Sequence, residues 1–136
     1  MKWIFIFSTE RWIWLTSDAR LADTIVLWGA NPFETGSVFY TEHMLPNLQG
    51  ATIEEKKKEY LKGKPAEPTR MIIVDPRRTA SVTVAEAVAP YRVLHLRPNL
   101  GTDYVLANAI ARAIWESGKA NGRQEGRHRK GGRVDR

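Results

Sequence analysis

Two segments of this chain, Ile25-Val26-Leu27-Trp28-Gly29-Ala30-Asn31-Pro32 and Met71-Ile72-Ile73-Val74-Asp75-Pro76-Arg77-Arg78, share one construction. In each, a short unbroken apolar run stops in a turn that carries polar or charged side chains. Unbroken apolar runs of that length suit strands covered on both faces, and such strands belong to parallel sheets. In open α/β sheets, ligands gather beyond the carboxyl ends of the strands. A third run, Tyr91 to Leu96 (YRVLHL), completes the pattern. The chain is therefore expected to be α/β, Rossmann-like, with a mainly parallel sheet, flanking helices and nucleotide-binding chemistry at one edge.

The strands are expected near 24 to 28, 70 to 75 and 91 to 96. Residues 33 to 45 (FETGSVFYTEHML) predict a helix that ends before Pro46. Thr52-Ile53-Glu54-Glu55 reads as a capping box opening a polar helix, EEKKKEYLK, which Gly63 stops and whose charges form a solvated face. The strongest helical period lies at 103 to 117, where Val105, Leu106, Ala109, Ile110, Ala113 and Ile114 recur at three and four residues, the spacing of one buried face.

Net charge is +6, but residues 119 to 136 hold seven Lys/Arg against two acids, which leaves residues 1 to 118 close to neutral. That tail, rich in Gly and Arg and without aromatics, is expected to be disordered. Its charge offers only salt-sensitive, sequence-independent attraction, which argues against nucleic acid as the partner. With no cysteine, the chain holds no disulfide, no cysteine-ligated zinc and no cysteine-held iron-sulfur cluster. The apolar runs at 3 to 7 and 12 to 15 are broken by Glu10 and Arg11, too short for a membrane span and without the pattern of a signal peptide.

Three places suit an anionic nucleotide. In Trp28, Gly29, Ala30, Asn31, Pro32, Phe33, Glu34 and Thr35, the glycine permits close backbone approach to a phosphate while Asn31, Glu34 and Thr35 offer side-chain partners. An ordinary strand-to-helix turn explains the same residues equally well. In Val74, Asp75, Pro76, Arg77 and Arg78, the acid can accept from ribose hydroxyls, and the guanidinia can pair with phosphate or stack on a base. A capped, exposed turn is the alternative there. In Gly101, Thr102 and Asp103, capping of the following helix is the stronger explanation. No catalytic set and no metal-ligand spacing stands out, and His95 reads as a strand side chain.

In order and spacing, the runs ADTIVLWGANPFET, HMLPNLQGAT, IIVDPRRT, VLHL and GTDYVLANAI resemble an internal segment of the molybdopterin-dependent oxidoreductases of the dimethyl-sulfoxide-reductase superfamily. Within it the arsenite oxidase large subunits are the most similar branch. The resemblance covers about 21 to 117, so residues 1 to 20 form an unmatched segment, 21 to 118 the cofactor-binding segment and 119 to 136 the tail. It implies a site for a bis(molybdopterin guanine dinucleotide) cofactor on the three loops named above. Asp75 would then contact ribose or guanine edges, Asn31 and the 29 to 35 backbone would hold phosphate or nucleoside atoms, and Asp103 would accept from guanine amine groups.

It also implies that iron-sulfur ligands precede this segment and that contacts to the second pterin follow it. The chain is accordingly expected to be an incomplete piece of a larger multidomain fold. Its implied partners are the remaining domains of a molybdenum oxidoreductase large subunit and a small iron-sulfur electron-transfer subunit. The resemblance implies a periplasmic location, and a free-standing chain would be cytoplasmic. The rival readings are a stand-alone nucleotide- or nucleic-acid-binding module without catalysis and a non-functional reading frame.

Overall fold

In the computed structural model, residues 3–7, 16–60 and 65–118 are described. The expectations placed on the 119 to 136 tail and on the Gly63 stop lie outside those residues. The chain divides into two compact units, Met1–Pro98 and Asn99–Arg136.

The first unit is built on four strands, β1 (Trp3–Phe7), β2 (Thr24–Trp28), β3 (Arg70–Val74) and β4 (Val93–Leu96). They pair in chain order, all parallel, with Trp28 opposite Val74 and Val74 opposite Leu96 at their carboxyl ends. The expected mainly parallel sheet with flanking helices is the one formed, with β1 as a further strand whose Trp3 pairs with Thr24. Between β1 and β2 lies α1 (Thr16–Leu21). The β2–β3 crossover carries α2 (Pro32–Thr35), α3 (Ser37–Phe39), a π-helical turn at Tyr40–Met44, α4 (Leu45–Gln49), α5 (Ile53–Glu55) and a second π-helical turn at Lys56–Tyr60. The β3–β4 crossover carries α6 (Ala80–Val88) and a 3-10 turn at Pro90–Arg92.

All three crossovers pack against the same side of the sheet. Alternate strand residues Ile25, Leu27, Met71 and Ile73 form one core with Ala19, Ala22, Tyr40, Met44, Leu48, Val82 and Ala85. A run of parallel strands added in one direction gives this result, because right-handed crossovers that advance the same way stay on the same face.

The helical run after β2 does not end before Pro46. It continues through α4 to Gln49 and closes at Gly50, whose φ of +89° is the left-handed C-terminal conformation glycine adopts readily. Proline fits there because the preceding turn is π-helical, with Leu45 N–H donating to Tyr40 O. The carbonyl a proline leaves without its usual donor is that of residue i−4, here Glu42, and Arg20 Nη1 supplies the bond at 2.7 Å. The same guanidinium grips Glu55 with Nε to Oε2 at 3.2 Å and Nη2 to Oε1 at 2.8 Å.

The capping box at Thr52 does not form. The Thr52 hydroxyl instead donates to Asn47 Oδ1 at 3.2 Å, and Glu55 is taken by Arg20. Lys56 is likewise not on a solvated face but fully buried, its Nζ donating to Ala22 O at 2.8 Å and Glu67 O at 3.0 Å. Fully buried Asn47 donates Nδ2 to Ala19 O at 2.8 Å and Ala22 O at 2.9 Å. Asn47 and Lys56 thus satisfy the carbonyls at the carboxyl end of α1, where helix termini leave acceptors without donors and favour a cation.

In the second unit, α7 (Asp103–Glu116) forms where its period predicts. The buried face does not, because among the described residues this unit consists of the helix and the turn before it, which offer nothing to cover a stripe. None of its residues is buried, and Val105 and Ile114 are each 50% exposed.

Candidate functional site

Beyond the carboxyl ends of β2 and β3, the first two loops come together. Gly29 N–H donates to Val74 O at 2.9 Å, extending the ladder one residue past the strand. Gly29 has φ +62°, and a Cβ built there meets nothing within 4 Å. The glycine is therefore required by its backbone conformation, with no protein atom crowding the space where a Cβ would stand. Ala30 and Pro32 are buried, with Pro32 opening α2, while Glu34 and Thr35 are exposed. The Thr35 hydroxyl is turned back on Asn31 O at 3.1 Å.

In the second loop, Asp75 is buried to 3% exposure. Its Oδ1 accepts from Arg77 N–H at 2.8 Å and lies 3.5 Å from Arg77 Nε, so the carboxylate organises its own turn. Oδ2 has no hydrogen-bond partner among the described residues. The loop is fastened to β4 at two points. Asp75 N–H donates to Leu96 O at 3.1 Å, and His95 Nε2 lies 2.9 Å from Asp75 O. A carbonyl only accepts, so Nε2 carries the proton. His95 thus serves as a strand side chain that holds the turn. The Arg77 side chain is 79% exposed, and Arg78 pairs with Glu86 on α6.

Asn31 ties the first loop to α6, the helix that follows the second. Its Oδ1 accepts from Ser81 N–H at 3.2 Å and from Ser81 Oγ at 2.7 Å. Ser81 lies in the first turn of α6, so a side chain fifty residues away takes the place of the usual N-cap oxygen. Thr79, the residue at the N-cap position, makes no cap bond, and its Oγ1 is buried without a partner. Ser81 and Thr79 carry no distinguishing signal in the sequence, and His95 is legible there only as a strand side chain. Each is a small polar or strand residue whose role depends on what the fold brings to it.

The third loop belongs to the second unit. Gly101 takes φ +79°, and Thr102 occupies the N-cap position of α7. The Thr102 side chain makes no cap bond; its hydroxyl is turned back to donate to Asn99 O at 2.7 Å. Asp103 is exposed as the first residue of α7. Elsewhere in the first unit, an open cavity of about 650 Å³ lined by Thr24, Arg70, Tyr91 and Leu94 sits at the amino ends of the strands and takes in none of the candidate residues.

These features place the chain in the class of parallel α/β proteins whose ligand chemistry lies beyond the carboxyl ends of the strands. The family model for molybdopterin oxidoreductases matches residues 9–124, and the chain belongs to that family. The match begins inside the 1 to 20 segment and runs past α7. The chain is also similar to "Arsenite oxidase subunit AioA" of Herminiimonas arsenicoxydans, 48% identical over 101 residues that make up 74% of this chain and 12% of that relative. It thus spans about an eighth of the curated relative's length.

Family membership implies a molybdopterin cofactor. Three groups are left over at the edge, of which the cation suits an anionic group and the other two suit hydroxyl or amine partners. They are the Asp75 Oδ2 acceptor, the exposed Arg77 cation and the orphaned Thr79 hydroxyl. Among the described residues, no helix is long and apolar enough to cross a membrane.

Proposed function

We propose that this chain supplies the part of a molybdenum oxidoreductase that holds the guanine-nucleotide end of a molybdopterin guanine dinucleotide, in an enzyme of the arsenite oxidase type. The observation that carries this reading is the union of the 28 to 35 and 74 to 78 loops at one sheet edge through Gly29 with Val74, with Asn31 tied to Ser81 at the start of the helix that follows. In this reading Asp75 Oδ2 accepts from a ribose hydroxyl or a guanine amine. Arg77 neutralises a phosphate, and Arg78 would reach it only by leaving Glu86. Asn31 donates Nδ2 to a phosphate or nucleoside oxygen. When bound, the cofactor supplies the oxygen-atom and two-electron chemistry of the complete enzyme, whose remaining domains and small iron-sulfur subunit are the partners proposed for this chain. The chain's own residues bind and orient, and alone it is expected to be inactive.

The test is titration of the isotope-labelled 136-residue chain with guanosine 5′-diphosphate, followed by NMR. Shifts are expected at residues 28–35 and 74–78. Asp75→Ala should weaken binding by roughly 1.5 to 3 kcal/mol, the cost of losing hydrogen bonds to a charged group, while Lys57→Ala should change little. Asp75→Asn, which keeps an acceptor for Arg77 N–H, separates loss of the charge from collapse of the turn. Shifts confined to residues 119–136, or equal effects of the alanine variants, would defeat the reading in favour of nonspecific attraction.

A further inference from the structure

Ser81 is fully buried and makes four hydrogen bonds, each to an element distant in sequence. Its Oγ donates to Asn31 Oδ1 at 2.7 Å and accepts from Phe33 N–H at 3.0 Å. Its own N–H donates to Asn31 Oδ1 at 3.2 Å, and its carbonyl accepts from the Tyr40 hydroxyl at 2.7 Å. Tyr40 is itself fully buried, and the Phe33 ring stands edge-on to it with centroids 5.9 Å apart. Burial pushes the Tyr40 hydroxyl well above its ordinary pKa, so it remains a donor.

One hydroxyl therefore acts as donor and acceptor at once, which alanine cannot do. Because Asn31 Oδ1 receives two hydrogen bonds from the same residue, the amide plane of Asn31 is fixed. Its Nδ2, on a half-buried side chain, has no partner among the described residues. Asp75 Oδ2, six residues before Ser81, is in the same condition. The edge thus carries a held donor and a held acceptor, one in each loop, and Ser81 governs how the donor is presented.

We propose that Ser81 is a positioning residue for nucleotide binding: it locks the Asn31 amide so that Nδ2 donates to a nucleotide oxygen while Asp75 Oδ2 accepts from the same ligand. The proposal rests on the nucleotide site proposed above and adds the device that orders it. Tight recognition requires polar groups immobilised before the ligand arrives, since each side chain frozen on binding subtracts from affinity.

Guanosine 5′-diphosphate is titrated into the labelled chain while the side-chain NH2 signals of Asn31 are followed. In the parent, those signals should move on binding. Ser81→Ala should weaken binding by roughly tenfold, about 1.4 kcal/mol. It should also abolish the NH2 shift while shifts at 74–78 persist, a pattern that general destabilisation does not produce. Asn31→Asp retains an acceptor for both Ser81 hydrogens but has no Nδ2, so it should stay folded and bind at least tenfold more weakly. It also serves where Ser81→Ala fails to fold. If Asn31→Asp binds like the parent, or Ser81→Ala leaves both affinity and the NH2 shift unchanged, the positioning role is overturned while the nucleotide site stands. If the parent itself shows no shift at 28–35 or 74–78, both fall.

Discussion

Replacing Asn47 by alanine should cost this chain a large part of its stability, and the structure indicates how much. The side chain is fully buried and takes part in three hydrogen bonds, two as donor to Ala19 O and Ala22 O and one as acceptor from Thr52 Oγ1. Its removal does not affect the partners equally, because Ala22 O also receives Lys56 Nζ at 2.8 Å and keeps that bond. Ala19 O and the Thr52 hydroxyl lose these partners in a region closed to water. Each buried polar group so stranded costs about 1 to 3 kcal/mol, giving about 2 to 6 kcal/mol for the pair. Against a typical total of about 5 to 15 kcal/mol, that is enough to make a marginal chain unfold. Urea unfolding of the 136-residue chain, followed by circular dichroism, measures the difference. Asn47→Asp provides a control on shape. It keeps the volume but points a carboxylate at two carbonyls, so it should be no better than alanine near neutral pH and should recover partly once acidified enough to regain a proton to donate. A loss below about 0.5 kcal/mol for Asn47→Ala, within the range of ordinary surface changes, would refute the view that this side chain caps α1.

Lys56, whose pKa burial lowers from 10.5, gives up its proton in the folded state at a lower pH than in the unfolded one. The unfolded chain then binds more protons, so stability relative to Lys56→Met should rise as pH climbs toward 10.5; urea midpoints that keep a constant difference from pH 7 to 10 would contradict this. The Glu55 carboxyl is held below its ordinary range by the hydrogen bond from Arg20, so its contribution is present above pH 4.5 and lost as pH falls through the depressed folded value. Glu55→Gln, breaking one largely exposed pair, should cost less than about 1 kcal/mol, whereas Arg20→Met also strips Glu42 O of its donor and should cost about 1 to 3 kcal/mol more; equal effects in denaturant melts would show the carbonyl bond to be idle. Gly29→Ala should cost about 1 to 2 kcal/mol from its positive φ alone, while Gly36→Ala, which has no such backbone constraint, should be milder in the same assay.

What the sequence revealed and what it concealed divide along a physical line. β2, β3 and β4 were legible as short apolar runs that stop at turn residues, although the crossovers cover only one face of the sheet and Leu94 of β4 is 52% exposed, and α7 because its period is sustained over four turns. α6 was not, since Ala-Ser-Val-Thr-Val is rich in β-branched residues of modest helix propensity, and its helix rests on tertiary partners such as Asn31. The first two ligand loops were legible as loops because they follow strands. The bonds that organise them were hidden, because Asn31 and Ser81 are separated by fifty residues and neither is unusual for its neighbourhood. The same holds for Thr52, a sound local cap drawn instead to a buried amide, and for Lys56, which composition assigned to solvent.

The chain-order sheet also sets a sequence of events in time. Register separations are 21 residues between β1 and β2 (Trp3 with Thr24), 46 between β2 and β3 (Thr24 with Arg70) and 22 between β3 and β4 (Met71 with Val93). Each doubling of loop length adds about 0.6 kcal/mol to closure, so the β2–β3 junction is the slowest pairing to nucleate while β3, α6 and β4 can assemble early as a local unit. The long crossover that must close last to complete the sheet is the one that carries Asn47, Thr52 and Lys56. Asn47 and Lys56 reach back to Ala19 and Ala22 over only 25 to 34 residues, so the buried polar node can form before that ladder closes and shortens the stretch of crossover still to be ordered.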